Sequence, residues 1–395
     1  SLGGLHVRRL SLAATAIVFI LVSLAGLNEA SAQATGVQDF RLHQQYRHMR
    51  ALGMGDAFIA SADDYGTLFY NPAGLARLEK GTINLSLGAA GDTKIPGFYG
   101  EVKDASGTSN VADITNLLAR NYGNFYSARL SLLQAVWARP RWGLAILPVD
   151  LSLDMSIRNL AAASLNIVAF QDTTIAYGRG WDVNWSKNAR WSLGVTAKGI
   201  YRGYYNRALL ASELAFNSNI LNGADAKEGF TLDADIGMLW TPKVTDDSWL
   251  RFAKPSVGFV ARNVADYGFI TNAHLIDKNS GEPPRLGRRF DVGAKFDLPD
   301  WWIFKTRVAV DERDIGATNF TTTKGFHAGA EFLWKIRSWW QGGWRVGVNQ
   351  GYFTAGFTGA LGFLQLDLAT WADELGTSDE SKAVRMYGLK AQIDF

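Results

Sequence analysis

The stretch that decides the fold reads Val384-Arg385-Met386-Tyr387-Gly388-Leu389-Lys390-Ala391-Gln392-Ile393-Asp394-Phe395. Counted back from Phe395 to Tyr387, apolar side chains occupy every second position, and the positions between them are polar or glycine. A period of two places successive side chains on opposite faces of a β-strand. The stretch therefore predicts one long strand with an apolar face and a polar face.

The same alternation recurs along the chain, most clearly at 149–157, 191–201 and 230–238. We predict fourteen strands, with approximate bounds 81–90, 124–137, 141–155, 162–178, 188–206, 229–242, 249–264, 286–298, 301–314, 324–336, 341–350, 352–361, 362–372 and 384–395. A transmembrane barrel strand needs about 9–11 residues, and a closed barrel with both chain ends on one side needs an even number of strands. A soluble antiparallel sandwich also alternates and is the competing interpretation.

Connection lengths favour the membrane barrel. With both termini in the periplasm, short periplasmic turns should alternate with long exterior loops, and they largely do. Turns are expected at 138–141, 181–189, 242–248, 299–300, 337–341 and near 362, and long loops at 91–123, 207–228, 265–285, 315–323 and 373–383. Thirteen of the 14 tryptophans fall near the turns, and Trp371 is the exception. Indole rings concentrate at membrane interfaces, so we predict an all-β, antiparallel transmembrane barrel.

The first residues predict export. Arg8 and Arg9 precede the apolar stretch 10–27, and small residues surround the cleavage position expected after Ala32, with Ala34 as the alternative. An uncleaved anchor helix is the other interpretation, because the stretch is long enough to span a bilayer. No second run of that length follows, which argues against a helical membrane protein. The predicted organisation is a signal peptide (1–32), an N-terminal plug or hatch segment (33–80) and an outer-membrane barrel (81–395).

Composition limits the chemistry. Without cysteine there are no disulfides and no thiolate sites, and a net charge of +3 without a basic run argues against nucleic-acid binding. His43 and His48 match no strong metal motif, and no Ser-His-Asp or paired-carboxylate constellation stands out. We therefore expect no enzymatic activity, no cofactor and no metal site.

The plug segment holds the most distinctive stretch, residues 50–76, which does not alternate. Glycines permit close backbone approach, paired aspartates can cap a turn, and Asn-Pro-Ala-Gly begins a helix or a tight turn. The candidate plug residues are Gly53, Gly55, Asp63, Asp64, Asn71, Pro72 and Gly74.

This stretch, with Ala62-Asp63-Asp64 and Tyr70-Asn71-Pro72-Ala73-Gly74-Leu75, resembles the hatch of FadL-type hydrophobic-compound transporters, and is closer still to the PorV/PorQ-like branch of that superfamily. Residues 345–352, 354–356, 364–368 and 374–376 resemble the last strands of that branch. The resemblance covers about a quarter of the chain and implies a fourteen-stranded barrel with an occupied lumen. Tyr387 and Phe395 resemble the C-terminal signal that the barrel-assembly machinery recognises in outer-membrane proteins.

Charged residues of both signs recur on the polar face of the strands. An ion pathway would explain them, but mixed signs favour a plugged interior with paired charges. Two long loops carry apolar residues at helical spacing, at 111–121 and 209–221. These helices could cap the mouth, collect an apolar ligand or bind a partner. The candidate capture residues are Leu117, Leu118, Leu209, Leu210 and Leu214.

Two functions follow from these features for a Gram-negative outer-membrane protein in contact with membrane lipid. The first is FadL-like transport of hydrophobic small molecules through a plugged lumen. The second is a PorV-like barrel that transports nothing and anchors or scaffolds a protein partner.

Overall fold

The structure, a computed structural model, describes residues 41–106, 110–157, 164–216, 225–244, 249–270, 275–276, 280–376 and 381–395. The predicted signal peptide lies outside these residues. Fourteen antiparallel strands form one closed barrel, in which sequence neighbours pair and β1 pairs with β14. They are β1 (Thr82–Gly91), β2 (Phe125–Arg139), β3 (Trp142–Ile157), β4 (Ser164–Val183), β5 (Ala189–Leu210), β6 (Lys227–Pro242), β7 (Pro255–Arg262), β8 (Arg289–Asp297), β9 (Phe304–Ile315), β10 (Phe326–Arg337), β11 (Trp340–Asn349), β12 (Tyr352–Leu361), β13 (Leu364–Glu374) and β14 (Ala383–Asp394). The predicted all-β barrel is confirmed.

Side chains alternate between the lumen and the outside along each strand. In β4, Ala176 is buried, whereas its neighbours Ile175 and Tyr177 are 55% and 47% exposed. Exposed apolar side chains surround the barrel, among them Leu85, Ile146, Ile236, Val346, Leu366 and Leu389. Charged side chains such as Asp172 and Glu331 are buried inside. An apolar outside around a polar interior is the arrangement of a membrane-spanning barrel.

The two ends of the barrel differ. At the turn end, where β1 begins and β14 ends, short connections such as Pro140–Arg141 join the strands. The opposite end, with the long connections, is the loop end. Tryptophan rings lie outside near the turn end, at Trp137, Trp142, Trp181, Trp185, Trp191, Trp240, Trp301, Trp302, Trp334, Trp339, Trp340 and Trp344. Trp371 lies inside the loop end and is 1% exposed. The predicted sorting of tryptophans is confirmed for the rings that the structure describes.

The wall is higher on one side. Strands β2 to β6 have 15 to 22 residues, whereas β7 to β14 have 8 to 12. Helices of the long loops pack against the outer face of this high wall. We call them the outer helix cluster, and they are α3 (Ile95–Ser106), α4 (Val111–Arg120) and α5 (Ala211–Phe216). Loop helices were predicted, but they lie beside the barrel rather than over its mouth.

Several predicted boundaries were wrong, among them the end of β4, which is Val183 rather than 178. Strand β7 begins at Pro255 rather than at 249, because Trp249–Phe252 forms a 3-10 turn. Leu209 and Leu210 end strand β5, and the helix begins only at Ala211. A strand residue that faces the helix cluster is buried like a helix residue, so spacing alone misassigned Leu209. Residues 217–224, where the same helical pattern continued, lie outside the described residues.

Residues 41–81 of the plug run through the lumen from the loop end to the turn end. They form α1 (Met49–Gly53), α2 (Thr67–Tyr70) and a 3-10 helix (Pro72–Arg77). The plug supplies most of the largest hydrophobic cluster, including Met54, Phe58, Ile59, Leu68 and Leu75, packed on Val136, Leu147, Val260 and Ala309 of the wall. A further helix, α6 (Thr322–Gly325), precedes β10, and no helix in the described ranges is long and apolar enough to cross a membrane.

Candidate functional site

Glycines let the backbone of the plug touch the backbone of the wall. A Cβ added at Gly53 would lie 2.8 Å from the Cα of Gly356 in β12, and one at Gly55 would lie 2.3 Å from the carbonyl oxygen of Ala328. Gly55 also has a φ of +73°, which disfavours any other residue. Gly329 and Gly347 complete the contact, because a Cβ on either would overlap Met54. The close approach predicted for Gly53 and Gly55 is confirmed.

The Asn71-Pro72-Ala73 turn packs on the opposite wall in the same way. A Cβ at Gly194 of β5 would lie 2.2 Å from the carbonyl carbon of Pro72, and one at Gly237 of β6 would lie 2.2 Å from Oδ1 of Asn71. Asn71 caps the 3-10 helix by accepting a hydrogen bond from the Ala73 amide at 3.1 Å. Gly74 faces Thr67, whose Cγ2 an added Cβ would meet at 2.6 Å. The predicted helix start is confirmed.

We expect Gly194→Ala to destabilise the barrel by about 1–3 kcal/mol, because the methyl group would overlap rigid plug backbone. Gly199→Ala is the matched control in the same strand, where the added Cβ meets only side-chain atoms of Phe230 and Leu232 at 3.5 Å. The free energy of unfolding in detergent micelles, measured with denaturant, compares the two. Equal effects would show that the plug does not press on β5.

Arg50 of α1 is the centre of a buried ion-pair network. Its guanidinium donates to Glu331 of β10 at 2.7 and 2.6 Å, to Asp63 at 2.7 Å and to Asp64 at 2.8 Å. Arg345 of β11 donates to the same Glu331 at 2.7 Å. A buried charge is tolerated when its partners are close and well aligned, as they are here. The network fixes the plug to two adjacent strands.

Asp63 and Asp64 bind Arg50 at the side of the plug that faces the turn end. Asp64 also accepts the Gly66 amide at 2.7 Å, which is the turn cap predicted from the sequence. Asp63 accepts from Arg307 of β9 at 2.8 Å. Burial alone would raise the pKa of Asp63, but Arg307 and Arg50 outweigh it and hold the pKa below its usual value. Both carboxylates are therefore charged.

Further polar contacts hold the plug along its length. Asp311 of β9 accepts the backbone amides of Phe58 and Ile59 at 2.5 and 2.8 Å. Near the loop end, Arg47 pairs with Asp373 at 2.6 Å, and the ring of His43 stacks on Phe170 at 3.9 Å. Burial lowers the pKa of His43 well below its usual value, so this ring is neutral at pH 7. The paired-charge interior predicted from the sequence is confirmed for these residues.

A small cavity of about 30 Å³ lies between the plug and the wall. Its lining includes Tyr46, Phe69 and Tyr70 from the plug, and Leu147, Thr174 and Ile200 from the strands. Charged groups, Lys198, Asp235, Arg262 and Arg313, line it as well. Because Leu147 and Thr174 are cross-strand partners, one wall of the cavity is the β3–β4 pair itself.

The wall is irregular at this cavity. The β2–β3 pairing runs to Leu132 opposite Val149 and resumes only at Ala135 opposite Ile146, and the β3–β4 register shifts between Leu147 and Asp150. Leu133 has a φ of +54° and is 71% exposed on the outside. Pro148 has no N–H to donate, and its carbonyl accepts a side-chain hydrogen bond from Thr173 at 2.7 Å. The cavity therefore adjoins a part of the wall where both the β2–β3 and the β3–β4 pairings are interrupted.

The predicted capture leucines lie in or beside the outer helix cluster. Leu117, Leu118, Leu209 and Leu214 are at most 5% exposed, because they pack on one another and on outward residues of β2 to β5. Leu210 is 46% exposed. Tyr99 and Phe216 are the exposed large apolar side chains of the cluster helices, and Leu210 lies beside them at the end of β5. Four of the five leucines thus form a packed core in this conformation.

Tyr387 and Phe395 both face outward at the closing seam of the barrel. Tyr387 is 53% exposed and pairs with Gly91 of β1, and Phe395 exchanges backbone hydrogen bonds with Ile83 at 2.9 and 3.0 Å. Recognition of these residues by the assembly machinery stays a prediction.

The strand residues that contact the plug were not predicted from the sequence. The missing residues are the lumen-facing glycines, Gly178, Gly180, Gly194, Gly237, Gly258, Gly293, Gly329, Gly347 and Gly356. The sequence does contain one signal for them. These glycines recur at the lumen-facing positions of successive strands, where the size of the side chain rather than its polarity is constrained. The partners of Arg50 carried no comparable signal, since Glu331 lies 281 residues away.

No protein-family model and no curated protein matches the chain. Several solved structures are similar to it. The monoaromatic hydrocarbon channel CymD has 12% identity and a TM-score of 0.40, covering 87% of this chain and 95% of that chain. The toluene transporter TbuX of Ralstonia pickettii has 8% identity and a TM-score of 0.40, covering 87% and 97%. A Pseudomonas aeruginosa FadL homologue has 9% identity and a TM-score of 0.31, covering 91% and 100%. The fold assignment rests on the strand pairing above.

Proposed function

We propose that this chain is an outer-membrane channel for apolar small molecules, seen with its plug in the closed position. The observation that carries the proposal is the interrupted wall of β2, β3 and β4, which adjoins a small cavity of about 30 Å³ between the plug and the strands. An opening there would lead into the hydrocarbon region rather than into water. Such a route suits an apolar molecule, because it avoids an aqueous exit.

The outer helix cluster supports the same proposal. It covers the outer face of β2 to β5 toward the loop end, and its packed residues include Leu153 and Met155 on β3, the strand that holds Pro148. We propose that Leu210 and Phe216, which are 46% and 72% exposed, first contact the molecule, with Leu117, Leu118, Leu209 and Leu214 behind them. The loop end then faces the cell exterior, and the turn end and both termini face the periplasm. The plug segment 33–80 regulates passage into the barrel.

The plug contacts favour a second candidate, a barrel that transports nothing and anchors a protein partner. Arg50, Arg47 and Arg313 each form buried ion pairs with carboxylates, and breaking such pairs is costly. A plug that never moves would explain these contacts equally well. Transport is therefore tested directly, by a change that acts on the wall and leaves every plug contact in place.

The test is a reversible staple across the irregular wall. Leu132 and Val149 are cross-strand partners, and the chain has no cysteine, so Leu132→Cys with Val149→Cys should form one disulfide. We expect the oxidised variant to lose uptake of a radiolabelled aromatic hydrocarbon in cells, and reduction to restore it. Proteoliposomes with the purified protein repeat the measurement without other transporters.

The matched control is Val346→Cys with Ala355→Cys, a partner pair in the uninterrupted β11–β12 ladder. Its oxidation should leave uptake unchanged. Uptake that survives oxidation of the first pair would contradict the lateral route. A wild-type protein that takes up no hydrocarbon in either system would contradict transport itself and favour the anchoring function.

A further inference from the structure

A row of three residues crosses the outer face of the barrel at its turn end. Arg139 of β2 is the register partner of Trp142 of β3, and Trp142 is the partner of Arg179 of β4. Register partners in a ladder point to the same face of the sheet. Here it is the outer face, because the sequence neighbours Ala138, Gly143 and Gly178 are buried on the lumen side. The two arginines therefore flank one indole ring, about 10 Å apart at two strand spacings.

Neither arginine has an acidic partner among the residues that the structure describes. Both side chains are exposed, and no carboxylate there lies within ion-pair distance of either guanidinium. The nearest acid in sequence, Asp182, points to the lumen side and pairs with Arg190 at 2.9 Å. Two long cationic side chains on a shared face can thus both reach one anion.

Among the residues that the structure describes, the exposed charges at this end are mostly basic. Exposed basic residues there are Lys80, Arg139, Arg141, Arg179, Lys187, Arg190, Lys243, Arg251, Lys254, Lys305, Lys335 and Arg337. The described exposed acids are Glu79, Asp182 and Asp300. An excess of cations beside a membrane attracts anionic headgroups.

The next two outward-facing rows of β2, β3 and β4, counted away from the turn end, are apolar and aromatic. The second row is Trp137, Leu144 and Tyr177, and the third is Ala135, Ile146 and Ile175. The rings of Trp137 and Trp142 pack edge to face at 4.8 Å. Moving away from the turn end, the surface thus changes from cationic, through aromatic, to aliphatic. A phospholipid with an anionic headgroup has the same sequence of groups along its length.

We propose that Arg139 and Arg179 bind the phosphate of one anionic phospholipid in the leaflet at the turn end, with its acyl chains on the two apolar rows. Arginine forks bind phosphate through paired, charge-assisted hydrogen bonds. The rows face the hydrocarbon region, which a soluble anion or an acidic protein does not enter. The site also lies directly below the irregular part of β3, so the bound lipid would border it.

Native mass spectrometry of the detergent-purified protein tests the site, with dioleoyl phosphatidylglycerol or dioleoyl phosphatidylcholine added in turn. We expect the wild type to retain phosphatidylglycerol in preference. Replacing both residues, Arg139→Gln with Arg179→Gln, should weaken that binding by roughly thirty-fold. The slower migration of the boiled than the unboiled sample in a gel shows that the variant still forms a closed barrel.

The control is Arg251→Gln with Arg337→Gln, two exposed arginines of the same end, in the 3-10 turn before β7 and at the end of β10. This variant should keep the preference for phosphatidylglycerol. If the control variant lost as much phosphatidylglycerol binding as the test variant, the binding would come from the basic residues of this end in general. That result would overturn the proposal. A wild type without preference, or a test variant that keeps it, would overturn it as well.

Discussion

Glu331→Ala should loosen the plug strongly. It removes the carboxylate that Arg50 and Arg345 share, and leaves Arg345 with the hydroxyl of Thr358 at 2.6 Å as its remaining described partner. An uncompensated buried charge costs about 3–5 kcal/mol. A cysteine introduced at Ala57, which is fully buried in the plug, should then react with a thiol reagent about a hundred-fold faster or more.

The absence of native cysteine makes this probe specific. The control is Asp182→Ala, which breaks an exposed pair with Arg190 at 2.9 Å and should cost at most about 1 kcal/mol. Adding Arg345→Met to Glu331→Ala should recover part of the loss, because it removes the charge left without a partner. Labelling of Ala57→Cys that stays as slow in Glu331→Ala as in Asp182→Ala would show that the network does not hold the plug.

The alternation of the strands made the barrel predictable in detail. In a wall with lipid outside and a polar interior, each strand carries the full period-two signal, so even strands of ten residues such as β12 were found with correct bounds. The start of β7 was predicted wrongly because a turn before it is apolar. Phe252 in this turn is apolar and 56% exposed, and such hydrophobicity does not distinguish a turn at the membrane interface from a strand.

The site was predictable only on the side of the plug. Gly53, Gly55 and Asn71 stand out locally because their conformations and caps are local. Which wall residues contact the plug depends on how the closed barrel positions strands that are distant in sequence. Asp311 and Phe58 are an example, and a single sequence does not show that two such residues are close in space. The position of the outer helix cluster was also hidden. It follows from the extra height of β2 to β6, which leaves outward residues such as Leu165 and Ile167 to be covered.

Asn71 is a buried side chain that makes three hydrogen bonds at once. Its amide donates to the carbonyl oxygens of Ile59 at 3.0 Å and Met238 at 3.2 Å, while its oxygen accepts from Ala73 at 3.1 Å. Asn71→Ala removes all three bonds. Since each buried group left unsatisfied costs about 1–3 kcal/mol, we expect a loss of about 3 kcal/mol in the free energy of unfolding.

Asn71→Asp separates the two roles of this side chain, because it keeps the acceptor for Ala73 and replaces the donor by a carboxylate facing two carbonyl oxygens. We expect it to be at least as destabilising as Asn71→Ala. Asn110→Ala is the matched control, since Asn110 caps α4 through the same bond to the residue two positions on, at 3.0 Å, but is exposed. That cap should be worth about 1 kcal/mol or less. If Asn71→Asp were as stable as the wild type, the cap alone would position the turn, and the bonds from the amide to Ile59 and β6 would contribute nothing to holding the plug in the barrel.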